Sequence, residues 1–294
     1  MVFTSHIFME QLKILIDLTR LNKPIGFMLL FWPCSWGLAF AYNENQDLNI
    51  FLYYLFLFFL GSVLMRSAGC VFNDIVDKDI DKRVERTKKR PIASGKITVS
   101  KSFIYVFLFC LIAFFILIQF NLFTIFLGLV SMTLAFAYPF MKRITYWPQL
   151  FLGLTFNWGL IMGYTAVLGQ ISSDIIILYF AAIFWTLGYD TIYGVQDIND
   201  DEIIGIKSTA IKFKKNIKLF VSTCYSLTLL LIVVIFNDII GINYSTLLGF
   251  MFLLTLLFQI ITFNEKNALS CLKAFKINNL AGLLMFFSIL FIKI

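Results

Sequence analysis

Two stretches of this sequence carry residue types and spacings suited to binding cations and polyanions. The first runs from Arg66 to Gly95, RSAGCVFNDIVDKDIDKRVERTKKRPIASG. At about 100° per residue, Asn73, Asp77, Asp81 and Asp74 fall near 0°, 40°, 80° and 100° on one helix face, whereas Asp79 falls near 240° on the other side. Carboxylates crowded on one stripe repel one another unless something cationic sits among them. Hard divalent ions take such oxygen ligands, and Mg²⁺ usually binds a few carboxylates together with substrate phosphates. The second stretch, Trp185 to Thr209, reads WTLGYDTIYGVQDINDDEIIGIKST. A helix continued through it would put Asp190, Asp197 and Asp201 within about 20° of one line, although Gly194 weakens that continuity. Two aspartate stripes after two apolar segments, about 120 residues apart, suggest a duplicated unit whose halves face each other across one site.

Such stripes need rigid apolar elements behind them, and the composition supplies little else. The 294 residues are 60% hydrophobic and 14% charged, with a mean hydropathy of +0.86. Soluble domains carry roughly a quarter charged residues, so the fold class is an all-α, multi-pass membrane protein. Nine apolar spans are expected, at 24–41, 50–72, 102–120, 122–140, 148–169, 174–194, 216–236, 244–263 and 277–292. They form one domain over 1–294, with pseudo-repeat halves at 24–140 and 148–263 plus the terminal helix 277–292. Pro24 and Pro33 start and bend the first span. The Gln119–Asn121 connection is so short that the third and fourth spans should form a tight antiparallel pair. Residues 1–23 read as an amphipathic, interfacial lead-in with neither a cleavage pattern nor transit-peptide character. The five cysteines show no paired spacing and read as small hydrophobes. The 35 Phe read as lipid-facing filler, and the single histidine, His6, is too remote for a base or ligand.

Charge placement sets the topology. With the N-terminus in the cytoplasm, 22 of the 24 Lys and Arg fall inside; Lys293 falls outside and Arg66 lies within a span. The net charge of +7 therefore follows the membrane and does not indicate nucleic acid. Both aspartate stripes emerge on the cytoplasmic side. A cation-competent acidic mouth ringed by Arg and Lys, above an apolar bundle, implies an amphiphilic substrate with a diphosphate-like head and a hydrocarbon tail. Arg66, Arg83, Arg86, Arg90, Lys142, Arg143 and Lys207 are the candidates for neutralising its charge, and Arg86 and Arg90, four apart, could share a helix face. A cation-coupled transporter is the alternative class. Charges gathered at one membrane face, not at mid-depth, argue against it.

The motifs also carry a family resemblance. Asn73-Asp74-Ile-Val-Asp77-Lys-Asp-Ile-Asp81, with Arg86-Thr87-Lys-Lys-Arg90-Pro91 after it, resembles the NDxxDxxxD signature of the UbiA-type intramembrane prenyltransferases. Asp197-Ile-Asn-Asp200-Asp201 is similar to that family's DxxxD motif. The segments YDTIYGVQDINDDEIIGIKSTAI, TRLNKPIG, MRSAGCVFND and AYPFMKR resemble its 4-hydroxybenzoate branch, and the likeness covers essentially the whole chain. The resemblance implies nine helices around a central cavity open to lipid, related to soluble isoprenyl diphosphate synthases, in a bacterial inner membrane. It implies Mg²⁺ held by Asn73, Asp77, Asp81, Asp197 and Asp201, and transfer of a polyprenyl group from its diphosphate to the ring carbon ortho to the hydroxyl of 4-hydroxybenzoate, in ubiquinone biosynthesis. Asp77, Asp81, Asp197, Asp201 and Arg143 are its catalytic set. Arg20, Arg66, Asn73, Asp74, Arg86, Arg90, Lys142, Asp190, Tyr193 and Lys207 are its substrate-binding set. Arg20 is assigned to the benzoate carboxylate and Arg143 to the diphosphate, with the reverse assignment open. Other acceptors, dihydroxynaphthoate, homogentisate or haem, belong to the same enzyme class.

Overall fold

Runs of Leu, Ile and Phe long enough to cross lipid become helices because a backbone in hydrocarbon has no other way to satisfy its hydrogen bonds. The computed structural model describes residues 2–293, with side chains from Met9 onward, so the His6 side chain lies outside the described residues. The helices are α1 (Val2–Thr19), α2 (Ile25–Asn45), α3 (Leu48–Val76), α4 (Lys78–Asp81), α5 (Val99–Leu117), α6 (Leu122–Ile144) and α7 (Pro148–Leu168). They continue as α8 (Ser173–Gly194), α9 (Ile198–Ile204), α10 (Thr209–Lys212), α11 (Ile217–Phe236), α12 (Tyr244–Thr262) and α13 (Ala268–Leu290). Among the described residues there is no strand, and nine helices are long and apolar enough to span a membrane: α2, α3, α5, α6, α7, α8, α11, α12 and α13. Side-chain caps set the starts of α3, α5, α6, α8 and α12. Asp47, Thr98, Asn121, Ser172 and Asn243 each accept a backbone N–H of the first turn.

Half or more of α2, α7, α8 and α13 is buried inside the protein, against less than a third of α3, α5, α6, α11 and α12. Small residues let α2 and α7 approach to backbone contact: a Cβ added at Gly37 would stand 1.9 Å from the Leu160 carbonyl oxygen, and one at Gly163 2.3 Å from that of Cys34. A buried chain of hydrogen bonds, Trp185 to Asn278, Asn278 to Gln259 and Tyr225 to Gln259, ties α8, α11, α12 and α13. All five cysteines are free.

Three expectations are corrected. The helix of the last span begins at Ala268 and not at 277, because the Asn267 side chain caps its first turn, ahead of Lys273 and Lys276. α5 and α6 are not a tight pair along their length. They meet beside their loop, where Leu117 closes on Gly128, and farther along Phe107, Leu111 and Phe114 of α5 and Leu129, Met132 and Ala135 of α6 line a cavity. Asn121 instead bonds α7 through the Thr165 and Ala166 carbonyls, which draws α6 toward the inner helices. Finally, Arg86 and Arg90 lie in consecutive turns and share no helix face.

Candidate active site at the mouth of the bundle

α3 stops before the first motif is complete. Asp77 caps it (φ −93°, ψ 5°), and α4 restarts for a single turn. The register survives the break, because the Asp77 N–H donates to the Asn73 carbonyl at 2.9 Å and the Asp81 N–H to that of Asp77 at 2.8 Å. Asn73, Asp77 and Asp81 therefore line one wall of a cavity of about 1750 Å³. Asp79 points away, 83% exposed, with only Lys82 beside it. On the facing wall α8 ends at Gly194, a 3₁₀ turn spans Val195–Asp197, and α9 follows. The helix is interrupted where Gly194 made it suspect, yet Asp190, Tyr193, Asp197 and Asp201 all still line the cavity.

Basic side chains bind these walls together. Arg86 leaves the loop after α4 and grips Asp197 with both prongs, Nε to Oδ1 at 2.7 Å and Nη2 to Oδ2 at 2.6 Å, with Tyr193 Oη 3.5 Å from Nη1. This is a bidentate, charge-assisted pair joining the two halves. Arg90 holds Asp81 at 2.8 Å. Lys142, near the end of α6, donates to Asp77 Oδ2, which also accepts from Asn73 Nδ2 at 3.0 Å. The Lys207 backbone N–H donates to the Lys142 carbonyl at 2.8 Å, and its Nζ to the Ile144 carbonyl at 3.1 Å, so α6 and the post-α9 segment sit side by side.

Two of the expected site residues lie off the cavity wall. Asp74 is 1% exposed and faces away from the cavity, where it accepts from Arg20 Nη2 at 2.5 Å and Arg90 Nη1 at 3.1 Å; its Oδ2 has no partner. Near 100° from Asn73 it sits at the edge of the stripe, and the Arg20 and Arg90 guanidiniums hold it on the side away from the cavity. Arg143 lies behind Asp77, donating to Oδ1 at 3.3 Å and to the Val76 carbonyl at 2.7 Å. Arg20 does reach the cavity but is engaged by Asp74; it stands in the left-handed region (φ +57°) at the turn after α1. Arg66 also lines the cavity, its guanidinium 5.3 Å from the Phe156 ring centroid.

Burial pushes the Asp81 carboxyl up from its ordinary range, with Arg90 working the other way. Burial, then the like charges of Arg20, Arg86 and Arg90, pushes the Lys23 ammonium down. Lys23 is a cavity-lining group that the sequence placed only by topology. Tyr189, Tyr138 and Gln149 also line the cavity without having been expected as site residues. Among the described residues no three His, Cys, Asp or Glu side chains converge closely enough to hold a metal ion. The donor set still suits a hard divalent cation: carboxylate and amide oxygens from two walls of one cavity, with the Asp201 carboxylate making no hydrogen bond or ion pair to any described residue.

Fold and site together define a multi-pass membrane protein with an acidic, cation-competent mouth over an apolar chamber. The chain belongs to the UbiA prenyltransferase family, whose model matches residues 30–290. It is 39% identical over 281 residues to the 4-hydroxybenzoate octaprenyltransferase of Psychromonas ingrahamii, covering 94% of this chain and 95% of that one. It is 48% identical over 214 residues to the mitochondrial 4-hydroxybenzoate polyprenyltransferase of Arabidopsis thaliana, covering 72% of this chain and 52% of that one. The match thus spans about half the length of the plant relative. Among solved structures, a UbiA homolog from Aeropyrum pernix K1 superposes with a TM-score of 0.75 at 22% identity, covering 89% of this chain and 96% of that one. One from Archaeoglobus fulgidus bound to GPP and Mg²⁺ superposes at 0.72 and 17% identity, covering 94% and 99%.

Proposed function

We propose that the protein transfers a polyprenyl group from a polyprenyl diphosphate to the ring carbon ortho to the hydroxyl of 4-hydroxybenzoate, releasing diphosphate, in ubiquinone biosynthesis. The observation that carries this reading is the single cavity, continuous from a mouth lined by Asn73, Asp77, Asp81, Asp197 and Asp201 to a chamber lined by Leu57, Phe58, Phe107, Phe114 and Met132. Its shape suits one amphiphile, headgroup in the charged mouth and tail between helices. The names of the full-length and mitochondrial relatives support the aromatic acceptor.

Asn73, Asp77, Asp81, Asp197 and Asp201 would hold Mg²⁺, which when bound neutralises diphosphate oxygens and improves the leaving group. Arg86, Arg90 and Lys142 now pair with three of those aspartates. They stand ready to exchange carboxylate for the incoming phosphate oxygens, and Lys23 and Lys207 add charge at the rim. Asp74 and Arg143 act from behind: Asp74 orients Arg20 and Arg90, and Arg143 fixes Asp77. The allylic C–O bond breaks, the ring carbon bonds the resulting cation, and loss of the ring proton restores aromaticity. The basic connections gather at one end of the bundle with the site, which supports placing the N-terminus and active site on the cytoplasmic face of a bacterial inner membrane. Reporter fusions at Lys88 and Lys214 should then read inside, and fusions at Asn45 and Gly241 outside.

The decisive assay incubates membranes containing the protein with labelled 4-hydroxybenzoate and a polyprenyl diphosphate, with and without Mg²⁺. Product should form only with both donor and metal. Donor-independent uptake of the label, or no product with any aromatic acceptor, would sink the reading.

A further inference from the structure

A second basic cluster lies outside the cavity, at the end of the bundle that holds the mouth. Trp147 directly precedes Pro148 at the start of α7, Lys218 is in the first turn of α11, and Phe263 caps the end of α12. All three stand where a helix enters or leaves the hydrocarbon, at the level of lipid headgroups. None of them lines the cavity. The link between α10 and α11 is held as one piece. The Asn216 N–H donates to the Phe213 carbonyl at 2.7 Å, and the Phe213 and Phe220 rings stack with centroids 4.0 Å apart. Trp147 packs edge-on against both, at 5.7 and 6.1 Å.

Cations lie over these rings. Lys212 Nζ stands 4.4 Å from the Trp147 centroid, and Lys218 Nζ 5.3 Å from the Phe263 centroid. Lys212, Lys215 and Lys218 are exposed, and their ammonium groups make no hydrogen bond or ion pair to any described residue. The neighbouring Glu202 is taken by Lys214 at 2.7 Å. Three cations with no carboxylate among them need counter-ions from outside the protein. Trp147 adds a free donor. Trp32, Trp36, Trp158 and Trp185 each donate the indole N–H inside the protein, whereas that of Trp147 meets no acceptor among the described residues. An indole N–H at the interface is then open to a phosphate or ester oxygen. One or two residues toward the middle of the bundle, Leu219 and Ile261 are 66% and 76% exposed, an apolar surface that acyl chains can cover.

We propose that the ends of α7, α11 and α12 bind an anionic phospholipid. Its phosphate lies among Lys212, Lys215 and Lys218, the Trp147 indole donates to its headgroup or ester oxygens, and its acyl chains run down past Leu219 and Ile261. Charge selects the lipid and depth selects a lipid over a soluble anion, because the cations sit directly above lipid-facing side chains. The aromatic rings keep the two outer ammonium groups from folding back toward Glu202, so the cluster is ordered before the lipid arrives. The site is separate from the mouth and does not depend on the prenyl-transfer reading.

The test reconstitutes the full chain in nanodiscs of phosphatidylcholine mixed with phosphatidylglycerol, releases it into neutral detergent and counts retained lipid by native mass spectrometry. Wild type should keep phosphatidylglycerol in preference to phosphatidylcholine. A lysine beside an anionic headgroup is worth roughly fivefold. Lys212→Gln, Lys215→Gln and Lys218→Gln combined should therefore lower the preference by roughly 10- to 100-fold, less than the full product because salt screens exposed charges. Trp147→Leu, which keeps every charge, should lower it by roughly two- to fivefold. Removing as many charges at Lys82, Lys88 and Lys101 should leave it unchanged. Circular dichroism melts show which variants are folded, and the three single Lys→Gln variants carry the same test in smaller steps if the combined one is not. Equal retention of both lipids by wild type overturns the proposal. So does an equal loss in the Lys82, Lys88 and Lys101 variant, which would mean that retention follows net charge alone. Displacement of the phosphatidylglycerol by millimolar inorganic phosphate would assign the cluster to a soluble anion and overturn it as well.

Discussion

Replacing Asp74 by asparagine separates support of the site from participation in it. Asp74 is almost completely buried, and its Oδ1 accepts from two guanidiniums, Arg20 at 2.5 Å and Arg90 at 3.1 Å. At an effective dielectric near 20, two unit charges about 4 Å apart attract by about 4 kcal/mol. The arginines are 22% and 21% exposed, so solvent takes back part of that. Neutralising the carboxylate also leaves two adjacent cations without their shared counter-ion, a loss typically of about 3–5 kcal/mol when the pair is buried. Asp74→Asn should therefore cost about 2–4 kcal/mol of stability. It should lower kcat/KM by only about tenfold or less, because Asp74 does not line the cavity and acts through Arg20 and Arg90. Denaturant unfolding of the detergent-solubilised protein, followed by tryptophan fluorescence, measures the first quantity. Steady-state kinetics with each substrate varied measures the second. A variant of wild-type stability with a hundredfold loss of turnover would refute the reasoning and return Asp74 to the substrate.

Other outcomes follow from the same geometry. Asp77→Ala and Asp201→Ala should each lower turnover at least about a hundredfold by removing a leaving-group metal ligand, whereas Asp79→Ala, at an exposed side chain paired only with Lys82, should leave kinetics near wild type; equal losses would contradict the assignment of faces. Arg143→Ala should destabilise the Asp77 end of α3 and reduce metal affinity more than donor affinity, read by Mg²⁺ titration of activity at saturating donor. Gly37→Ala should impair folding by about 1–3 kcal/mol or more, since its Cβ meets backbone and not a movable side chain; unchanged thermal stability would show that α2 and α7 can separate at little cost. Because burial raises the Asp81 carboxyl, protons should compete with Mg²⁺ from higher pH than for an ordinary aspartate, so apparent Mg²⁺ affinity falls as pH drops through that raised value and recovers above it. A pH-independent Mg²⁺ constant across the acid range would contradict this.

The sequence by itself determined the class of fold and the outline of the site. Nine apolar runs of spanning length admit only helices, and charged side chains inside lipid are costly enough that those present mark a site. Spacing alone was enough to separate Asp79 from Asn73, Asp77 and Asp81, because a hydrogen-bonded register fixes direction even across the break at Asp77. Direction along one element is local information. What only the tertiary structure decided is which groups face each other across elements. Asp74 and Asn73 are adjacent in sequence, yet one is enclosed by Arg20 and Arg90 while the other lines the cavity. Arg86 and Arg90 are four residues apart, yet one crosses to Asp197 and the other turns back to Asp81. α5 and α6 are joined by a loop of a few residues, yet a cavity lies between them because α6 is held by α7. Long, flexible basic side chains choose partners by the sum of all nearby charges, and that sum exists only once both halves of the chain have packed against each other.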